Sequence, residues 1–201
     1  MGDNEEENSN KVIFLGESGV GKTNLIRIST GQEFASQKLP TTNVSSEEKK
    51  FIFNNKEYIF HLWETIGQEK YKSITKLFFR NAKIVIYVYD FACKQSFIAL
   101  EKWIEDVEKE IGTDYIMAIV GNKKDLYLNE EVNEEEAKNY VKTKNCKFKL
   151  TSAKNESKAF NEFLESLFID YLNTIEGNNF KVNDNIAIKS KDTKKKDKKC
   201  C

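Results

Sequence analysis

The segment from Gly16 to Thr23, G-E-S-G-V-G-K-T, constrains the fold of this chain more than any other. It satisfies the pattern G-x-x-x-x-G-K-[ST] and stands between an apolar run, K-V-I-F-L, and a helix-like stretch that starts at Lys22. In this context, glycines let the backbone wrap a phosphate, so that successive N–H groups point at it from a helix N-terminus. The spacing favours a phosphate-binding loop over a plain glycine-rich turn, with Lys22 on the β- and γ-phosphates and the Thr23 hydroxyl on Mg²⁺.

Strand-like and helix-like segments alternate along the rest of the chain, a pattern typical of a mostly parallel sheet covered by helices. Ile84 to Tyr89 and Ile116 to Val120 are apolar on both faces, and Gln95 to Ile111 carries apolar residues at helical spacing, with Trp103 on the apolar face. Further segments indicate a hairpin at Asn54-Asn55, a helix over 134–141, a strand over 147–150 and a final helix over 160–175. We expect one α/β domain over residues 10–175, with six mostly parallel strands, an antiparallel edge strand from Glu47 to Phe53 and about five helices.

Charge is distributed unevenly, although 32 basic and 32 acidic residues cancel over the whole chain. Residues 1–9 are acidic and residues 176–201 are rich in Asn, Lys and Asp, so both ends are predicted to be disordered. The lysines near the C-terminus suit an anionic membrane surface, whereas nucleic acid is not expected as a partner because no aromatic residues interleave with them. The four cysteines form no disulfide framework and favour a reducing cytosol, and no window reaches the roughly 20 apolar residues of a membrane span.

Two further motifs indicate which base the nucleotide carries. Asn122-Lys-Lys-Asp125 comes directly after a predicted strand, where open α/β sheets bind ligands. Asp125 can accept two hydrogen bonds from guanine N1–H and N2–H₂, whereas adenine would leave it unsatisfied. Thr151-Ser-Ala-Lys154 follows the last predicted strand, and a backbone N–H near Ala153 could meet guanine O6. The sequence therefore favours a guanine nucleotide over the ATP of an unrelated P-loop ATPase or kinase.

Over roughly residues 10 to 175, the chain resembles the Ras-like small GTPases and, within them, the Rab family. The resemblance rests on G-E-S-G-V-G-K-T, on W-E-T-I-G-Q-E from Trp63, on N-K-K-D and on T-S-A-K. F-F-R-N-A, from Phe78, is similar to a Rab motif with substitutions. The terminal Cys200-Cys201 resembles the Rab signal for double geranylgeranylation.

The resemblance implies roles for individual residues. Phe34 would stack on the guanine, Gly67 would donate its backbone N–H to the γ-phosphate, and Gln68 would orient the attacking water. The switch threonine, which would bring its hydroxyl to Mg²⁺, is Thr41, or Thr42 if the alignment slips by one. The implied nucleotide-binding residues are Gly16, Ser18, Gly19, Val20, Gly21, Lys22, Thr23, Asn24, Phe34, Thr41, Gly67, Asn122, Lys123, Asp125, Ser152, Ala153 and Lys154. The implied metal ligands are Thr23, Thr41 and Glu64, the catalytic residues are Gln68 and Lys22, and the lipidated residues are Cys200 and Cys201.

Two residues near the switch glutamine depart from the family pattern. Glu64 stands where the family usually has Asp, one methylene shorter, and Ile66 adds a β-branched side chain beside Gly67. One interpretation is a tolerated variation with slow hydrolysis. The other is a loosened Mg²⁺ site or a hindered switch, because misplacing a catalytic group by about 1 Å can cost roughly 10²-fold in rate.

The resemblance implies a GTP/GDP switch that hydrolyses GTP slowly without an activating protein and regulates vesicle transport. Its implied partners are an exchange factor, a GTPase-activating protein, a prenylation escort, a GDP-dissociation inhibitor and effectors. The implied location is the cytoplasmic face of an intracellular membrane, from which a monomeric protein cycles to the cytosol. The alternative hypothesis is a nucleotide-locked adaptor that binds GTP and hardly turns it over.

Overall fold

The computed structural model describes residues 10–36, 45–64 and 78–189, with side chains as far as Gly177. Six strands and five α-helices lie within these ranges, together with a 3₁₀ segment, Lys124–Asn129. The strands are β1 (Asn10–Leu15), β2 (Ser45–Phe53), β3 (Lys56–Glu64), β4 (Ala82–Asp90), β5 (Ile116–Asn122) and β6 (Lys147–Leu150). The helices are α1 (Lys22–Ser29), α2 (Lys94–Ile98), α3 (Leu100–Ile111), α4 (Glu134–Lys144) and α5 (Ser157–Lys189).

The six strands form one sheet in the order β2-β3-β1-β4-β5-β6. The edge strand β2 runs antiparallel to β3, and every other pair is parallel. Asn54 and Asn55 join β2 to β3 with φ angles of 48° and 61°, as expected for a two-residue hairpin turn that needs positive φ at both positions. The predicted fold class is confirmed, and β2 begins at Ser45 instead of Glu47.

Both faces of the sheet are buried, which explains the continuous apolar runs in the sequence. Side chains of β4 alternate between the two faces: Ile84, Ile86 and Val88 join one core cluster, and Val85, Tyr87 and Tyr89 join the other. Helices α1 and α5 cover the first face, and α3 and α4 cover the second. The predicted helix from Gln95 is interrupted at Ala99, where α2 gives way to α3.

The last helix packs on the hairpin and is longer than predicted. The ring of Phe168 on α5 stacks on Phe60 of β3 at a centroid distance of 3.7 Å. The helix continues past Ile175 to Lys189, over a stretch that contains no proline to interrupt its hydrogen bonds. The division of the chain into a nucleotide-binding domain over 10–175 and disordered ends stays a prediction. Among the described residues, no helix is long and apolar enough to cross a bilayer.

The topology places the ends of neighbouring strands together. Because β1, β3, β4, β5 and β6 run parallel, their carboxyl ends meet at one edge of the sheet. The phosphate-loop sequence follows β1, Glu64 ends β3, Asp90 ends β4, Asn122 ends β5, and Thr151 follows β6. The motifs predicted to bind a nucleotide therefore converge on this edge.

Candidate nucleotide-binding site

The loop between β1 and α1 follows a path that only glycine allows at two positions. Gly16 has a φ of 141°, and a Cβ there would lie 2.1 Å from the Val88 carbonyl oxygen. Gly21 has a φ of 96°, and a Cβ there would lie 2.3 Å from Asn122 Nδ2. The two glycines thus let the loop press against β4 and β5 before α1 begins at Lys22.

Lys22 is a buried cation at the start of α1. Its side chain is 4% exposed, and its Nζ donates to the backbone oxygens of Gly16 at 2.7 Å and of Glu17 at 2.8 Å. Burial lowers the pKa of Lys22 to about 8, against the opposing effect of the carboxylates of Glu64 and Glu17. A polyanionic ligand beside this ammonium would stabilise its charged form, as expected of a phosphate-binding lysine.

Thr23 and Glu64 form a hydrogen-bonded pair, in which the Thr23 hydroxyl donates to Glu64 Oε1. Glu64 is 4% exposed, so the longer carboxylate reaches the phosphate loop from the end of β3. Hydroxyl and carboxylate oxygens are ligands that suit Mg²⁺, which binds few protein groups together with substrate phosphates. The pair therefore fits a Mg²⁺ ion in its chemistry. In the described part of the chain, no cluster of three or more His, Cys, Asp or Glu offers another metal site.

Asn122 connects the phosphate loop to the T-S-A-K segment. Its Nδ2 donates to the Val20 carbonyl at 2.9 Å, and its Oδ1 accepts from the Ala153 N–H at 3.0 Å. The side chain is 1% exposed, so its amide is committed to protein partners. The expected contact to guanine O6 came from a backbone N–H near Ala153; the N–H of Ala153 itself donates to Asn122 in this structure.

The carboxylate of Asp125 is oriented by a hydrogen bond from Ser152. The Ser152 hydroxyl donates to Asp125 Oδ1 at 2.6 Å and accepts from the N–H groups of Lys154 and Asn155 at 3.2 Å each. Ser152 is only 2% exposed, so any effect of its hydroxyl on a ligand would pass through Asp125. The two motifs predicted separately from the sequence are thus one hydrogen-bonded unit.

Lys123 pairs with an acid that sequence reasoning did not single out. Its Nζ lies 2.7 Å from Asp90 Oδ2, and the other oxygen of Asp90 accepts from the Ala92 N–H at 2.9 Å. Lys123 itself has a positive φ of 65°. One feature of the sequence could have identified Asp90, because it is an acid at the carboxyl end of a buried strand. Asn122 occupies the equivalent position at the end of the neighbouring strand β5.

Asn24 fixes the segment that carries Phe34. The Asn24 side chain donates from Nδ2 to the Ala35 carbonyl and accepts at Oδ1 from the Ala35 N–H, both at 3.0 Å. Phe34, one residue earlier, is partly buried against the core and lines the cavity described below. Asn24 therefore supports the aromatic ring through the backbone beside it.

These residues surround one cavity of about 470 Å³. Its lining is Ser18, Gly19, Gly21, Lys22, Thr23, Asn24, Phe34, Ala35, Ser36, Glu64, Asn122, Lys123, Asp125, Leu126, Ala153 and Lys154. Gly16, Val20 and Ser152 are not part of this wall; Val20 is buried in the core. The predicted site residues Thr41, Gly67, Gln68, Cys200 and Cys201 lie outside the described residues, as do Thr42 and Ile66.

The sheet is covered by helices on both faces, and its strand ends carry a phosphate loop after β1 and the Asn122–Asp125 turn after β5. This combination defines a P-loop nucleotide-binding protein. The sequence of this chain matches the family model of the Ras family over residues 11–173. The chain is 37% identical to Ras-related protein Rab-11B of Dictyostelium discoideum over 186 residues, 89% of this chain and 84% of the relative. It is 37% identical to Ras-related protein Rab-17 of Mus musculus over 161 residues, 78% of this chain and 75% of the relative. GTP-binding protein ypt3 of Schizosaccharomyces pombe is 32% identical over 161 residues, 79% of this chain and 75% of the relative.

The chain therefore belongs to the Ras family, and its likeness to Rab proteins identifies it as a Rab-like small GTPase. Proteins of this family bind GTP and GDP and are GTP hydrolases. The family resemblance stated from the sequence is confirmed.

Proposed function

We propose that the protein is a Mg²⁺-dependent GTP/GDP switch that regulates vesicle transport from a prenylated, membrane-bound state. The observation that carries the nucleotide part is the position of Asp125, held by Ser152 on the wall of the same cavity that Lys22 and Thr23 line. One cavity thus offers a carboxylate to a guanine edge and a buried ammonium to phosphates.

In this proposal each described residue has a defined task. Asp125 accepts hydrogen bonds from guanine, Lys123 and Lys154 lie along its faces, and Phe34 contacts the ring from the open side. Lys22 and the backbone N–H groups of the phosphate loop stabilise charge on the phosphates. Thr23 and Glu64 would hold Mg²⁺, which neutralises phosphate charge when bound. The family resemblance assigns the switch threonine to Thr41 and the orientation of the attacking water to Gln68, with Gly67 on the γ-phosphate.

In the sequence, no arginine near Thr41 or Gln68 is an obvious candidate to stabilise the transition state, so we propose that a GTPase-activating partner supplies one. An exchange factor, a GDP-dissociation inhibitor, a prenylation escort and effectors complete the partners that the family resemblance implies. The protein would act as a monomer at the cytoplasmic face of an intracellular membrane and cycle with the cytosol.

A second candidate function is a nucleotide-locked adaptor that binds GTP with little hydrolysis. The length of Glu64 favours it, because the carboxylate that accepts from the Thr23 hydroxyl is one methylene longer than the Asp of the family pattern and has to shift or bend to keep its distance to Mg²⁺. If the Glu64 carboxylate cannot adjust its position, Mg²⁺ binding would be weaker and GTP hydrolysis slower.

Single-turnover hydrolysis of GTP in the presence of Mg²⁺ separates the two functions. The natural protein is compared with a variant that carries Glu64→Asp and Ile66→Ala together. A slow but measurable rate that the double change leaves nearly unaltered supports the switch. A rate below detection that the double change restores supports the adaptor, and equal binding of ATP and GTP would refute both.

The membrane part of the proposal has its own test. Cys200→Ser combined with Cys201→Ser should move the protein from membranes to the soluble fraction of cells, because one lipid chain or a basic tail alone binds only weakly. A matched control is Cys93→Ser combined with Cys146→Ser, since both of these cysteines lie in the folded part of the chain. Persistent membrane association of the terminal double variant would contradict the lipid anchor.

A further inference from the structure

We propose that Trp103 is a positioning residue for the phosphate loop: through its hydrogen bond to Glu17, it holds the first half of the loop in the conformation that receives nucleotide phosphates. The inference deepens the proposed function, since it takes a guanine nucleotide as the ligand of this loop. It assigns to α3, which does not line the nucleotide cavity, a part in nucleotide affinity.

The contact joins a rigid donor to the loop. Trp103 Nε1–H donates to Glu17 Oε1 at 3.1 Å. The indole is partly buried against the core face formed by β1, β4 and α3, and α3 is itself anchored there by Leu100, Ile104 and Val107. A tryptophan side chain has only two rotatable bonds, so its N–H occupies a fixed position once the ring is packed.

The loop has two halves, and each has an anchor. Asn122 holds the second half through the Val20 carbonyl. Ser18 and Gly19, between Glu17 and Val20, are exposed and belong to no helix or strand. Trp103 supplies the corresponding side-chain anchor at the beginning of this exposed part.

Holding Glu17 also places a group that contacts the phosphate-binding lysine. The Glu17 carbonyl oxygen accepts from Lys22 Nζ at 2.8 Å. The hydrogen-bonded path therefore runs from Trp103 through Glu17 to Lys22. A shift of Glu17 would move both the loop backbone that wraps the phosphates and one of the acceptors that orient Lys22.

A purely structural role for Trp103 makes a different prediction. If the ring only fills the core, Trp103→Phe should change stability and leave nucleotide binding alone. If the N–H positions the loop, the same variant should speed GDP dissociation, and the effect should depend on Glu17.

The experiment is a double-mutant cycle on GDP dissociation, with Trp103→Phe, Glu17→Ala and both together. We expect Trp103→Phe to speed dissociation about fivefold in the natural background, the effect of losing one hydrogen bond of ordinary net strength. In the Glu17→Ala background, Trp103→Phe should change the rate less than about twofold, because the acceptor is gone. The matched control is Tyr140→Phe, which removes a hydrogen bond to an acid of α3, Glu101, and should leave the rate unchanged.

A second measurement needs no nucleotide. NMR order parameters of Ser18 and Gly19 should fall in Trp103→Phe and stay at the natural value in Tyr140→Phe. The inference is overturned if these order parameters do not change, or if Trp103→Phe has the same effect on dissociation with and without Glu17. If the natural protein bound no guanine nucleotide, the proposed function would fail, and the order parameters would still decide whether Trp103 positions the loop.

Discussion

At the scale of single residues, the site works through hydrogen bonds whose partners are far apart in sequence. Asp125 is oriented by Ser152, Lys123 by Asp90 and Thr23 by Glu64. Both partners of the first and third pairs were identified from motifs, whereas only Lys123 was identified in the second, and the structure supplies all three contacts. Glu64, which departs from the family pattern, still reaches the hydroxyl that the shorter acid would hold.

Ser152 should matter for guanine binding although it does not touch the cavity. Ser152→Ala leaves Asp125 free to rotate, so we expect GDP to bind about fivefold to tenfold more weakly. Ser166→Ala is the matched control, because in the described part of the chain that hydroxyl bonds only to Phe163 on α5 and to Lys147 on β6. Calorimetric titration with GDP provides the comparison, and equal affinities of the two variants would contradict the positioning role.

Lys22 should link nucleotide binding to protons. Burial lowers the pKa of Lys22 to about 8, so the free protein loses this positive charge above that pH. Bound phosphates should keep Lys22 protonated. Below pH 8 the free protein carries the unfavourable buried charge; above pH 8 deprotonation of Lys22 removes it and stabilises the free protein. Because GDP binding then has to reprotonate Lys22, GDP affinity should fall above pH 8. At pH 8.5 GDP binding should therefore be accompanied by net proton uptake, measured by calorimetry in two buffers of different ionisation enthalpy. Lys22→Arg should show no such uptake, and an equal uptake in that variant would contradict the assignment.

At the scale of elements, the β2–β3 hairpin is joined to α1 and α5 by one lysine and an aromatic cluster. Lys49 of β2 donates to the Ser29 carbonyl, at the end of α1, at 2.9 Å and to Asn161 Oδ1 of α5 at 3.1 Å. The positive charge at the C-terminus of α1 also interacts favourably with the helix dipole. Phe60 and Phe168 stack beside this contact. The edge strand thus contacts helices as well as its neighbouring strand.

Adjacent lysines of β2 should differ sharply in their contribution to stability. Lys49 has a side chain 12% exposed. Lys49→Met removes the donor from two partly buried acceptors and the cation from Glu165, and it should lower the free energy of unfolding by about 1–3 kcal/mol. Lys50 pairs with Glu57 where both side chains are more than half exposed, so Lys50→Met should cost less than about 1 kcal/mol. Urea unfolding of both variants with saturating GDP is the measurement. Equal losses would show that the contact to α1 and α5 adds nothing.

At the scale of the whole molecule, the phosphate loop, the ends of β3 and β5 and the segment after β6 meet around one cavity. A nucleotide bound there would contact segments that are far apart in sequence, since the lining residues run from Ser18 to Lys154. Binding should therefore stabilise the fold as a unit. A ligand that binds only the folded state adds about 4 kcal/mol to the free energy of unfolding at a thousandfold excess over Kd.

Guanine nucleotides should raise the melting temperature, and adenine nucleotides should not. GDP with Mg²⁺ is expected to give the larger shift, and a chelator should reduce it because Thr23 and Glu64 lose the ion they would hold. Thermal unfolding with GDP, GTP and ATP at equal concentration tests this. A shift with ATP equal to that with GDP would contradict the role of Asp125.

The sequence by itself determined the fold class, the phosphate loop and the guanine motif. These signals are local: apolar runs define buried strands, glycines with Lys22 and Thr23 define the loop, and Asn122 with Asp125 follows a strand. The length of α5, the break at Ala99 and the start of β2 were not predictable, because tertiary packing and backbone continuity set where elements end. The contacts of Asp90, Ser152, Lys49 and Trp103 were also beyond the sequence. Each joins residues on different elements, and only the folded chain decides which side chains meet there.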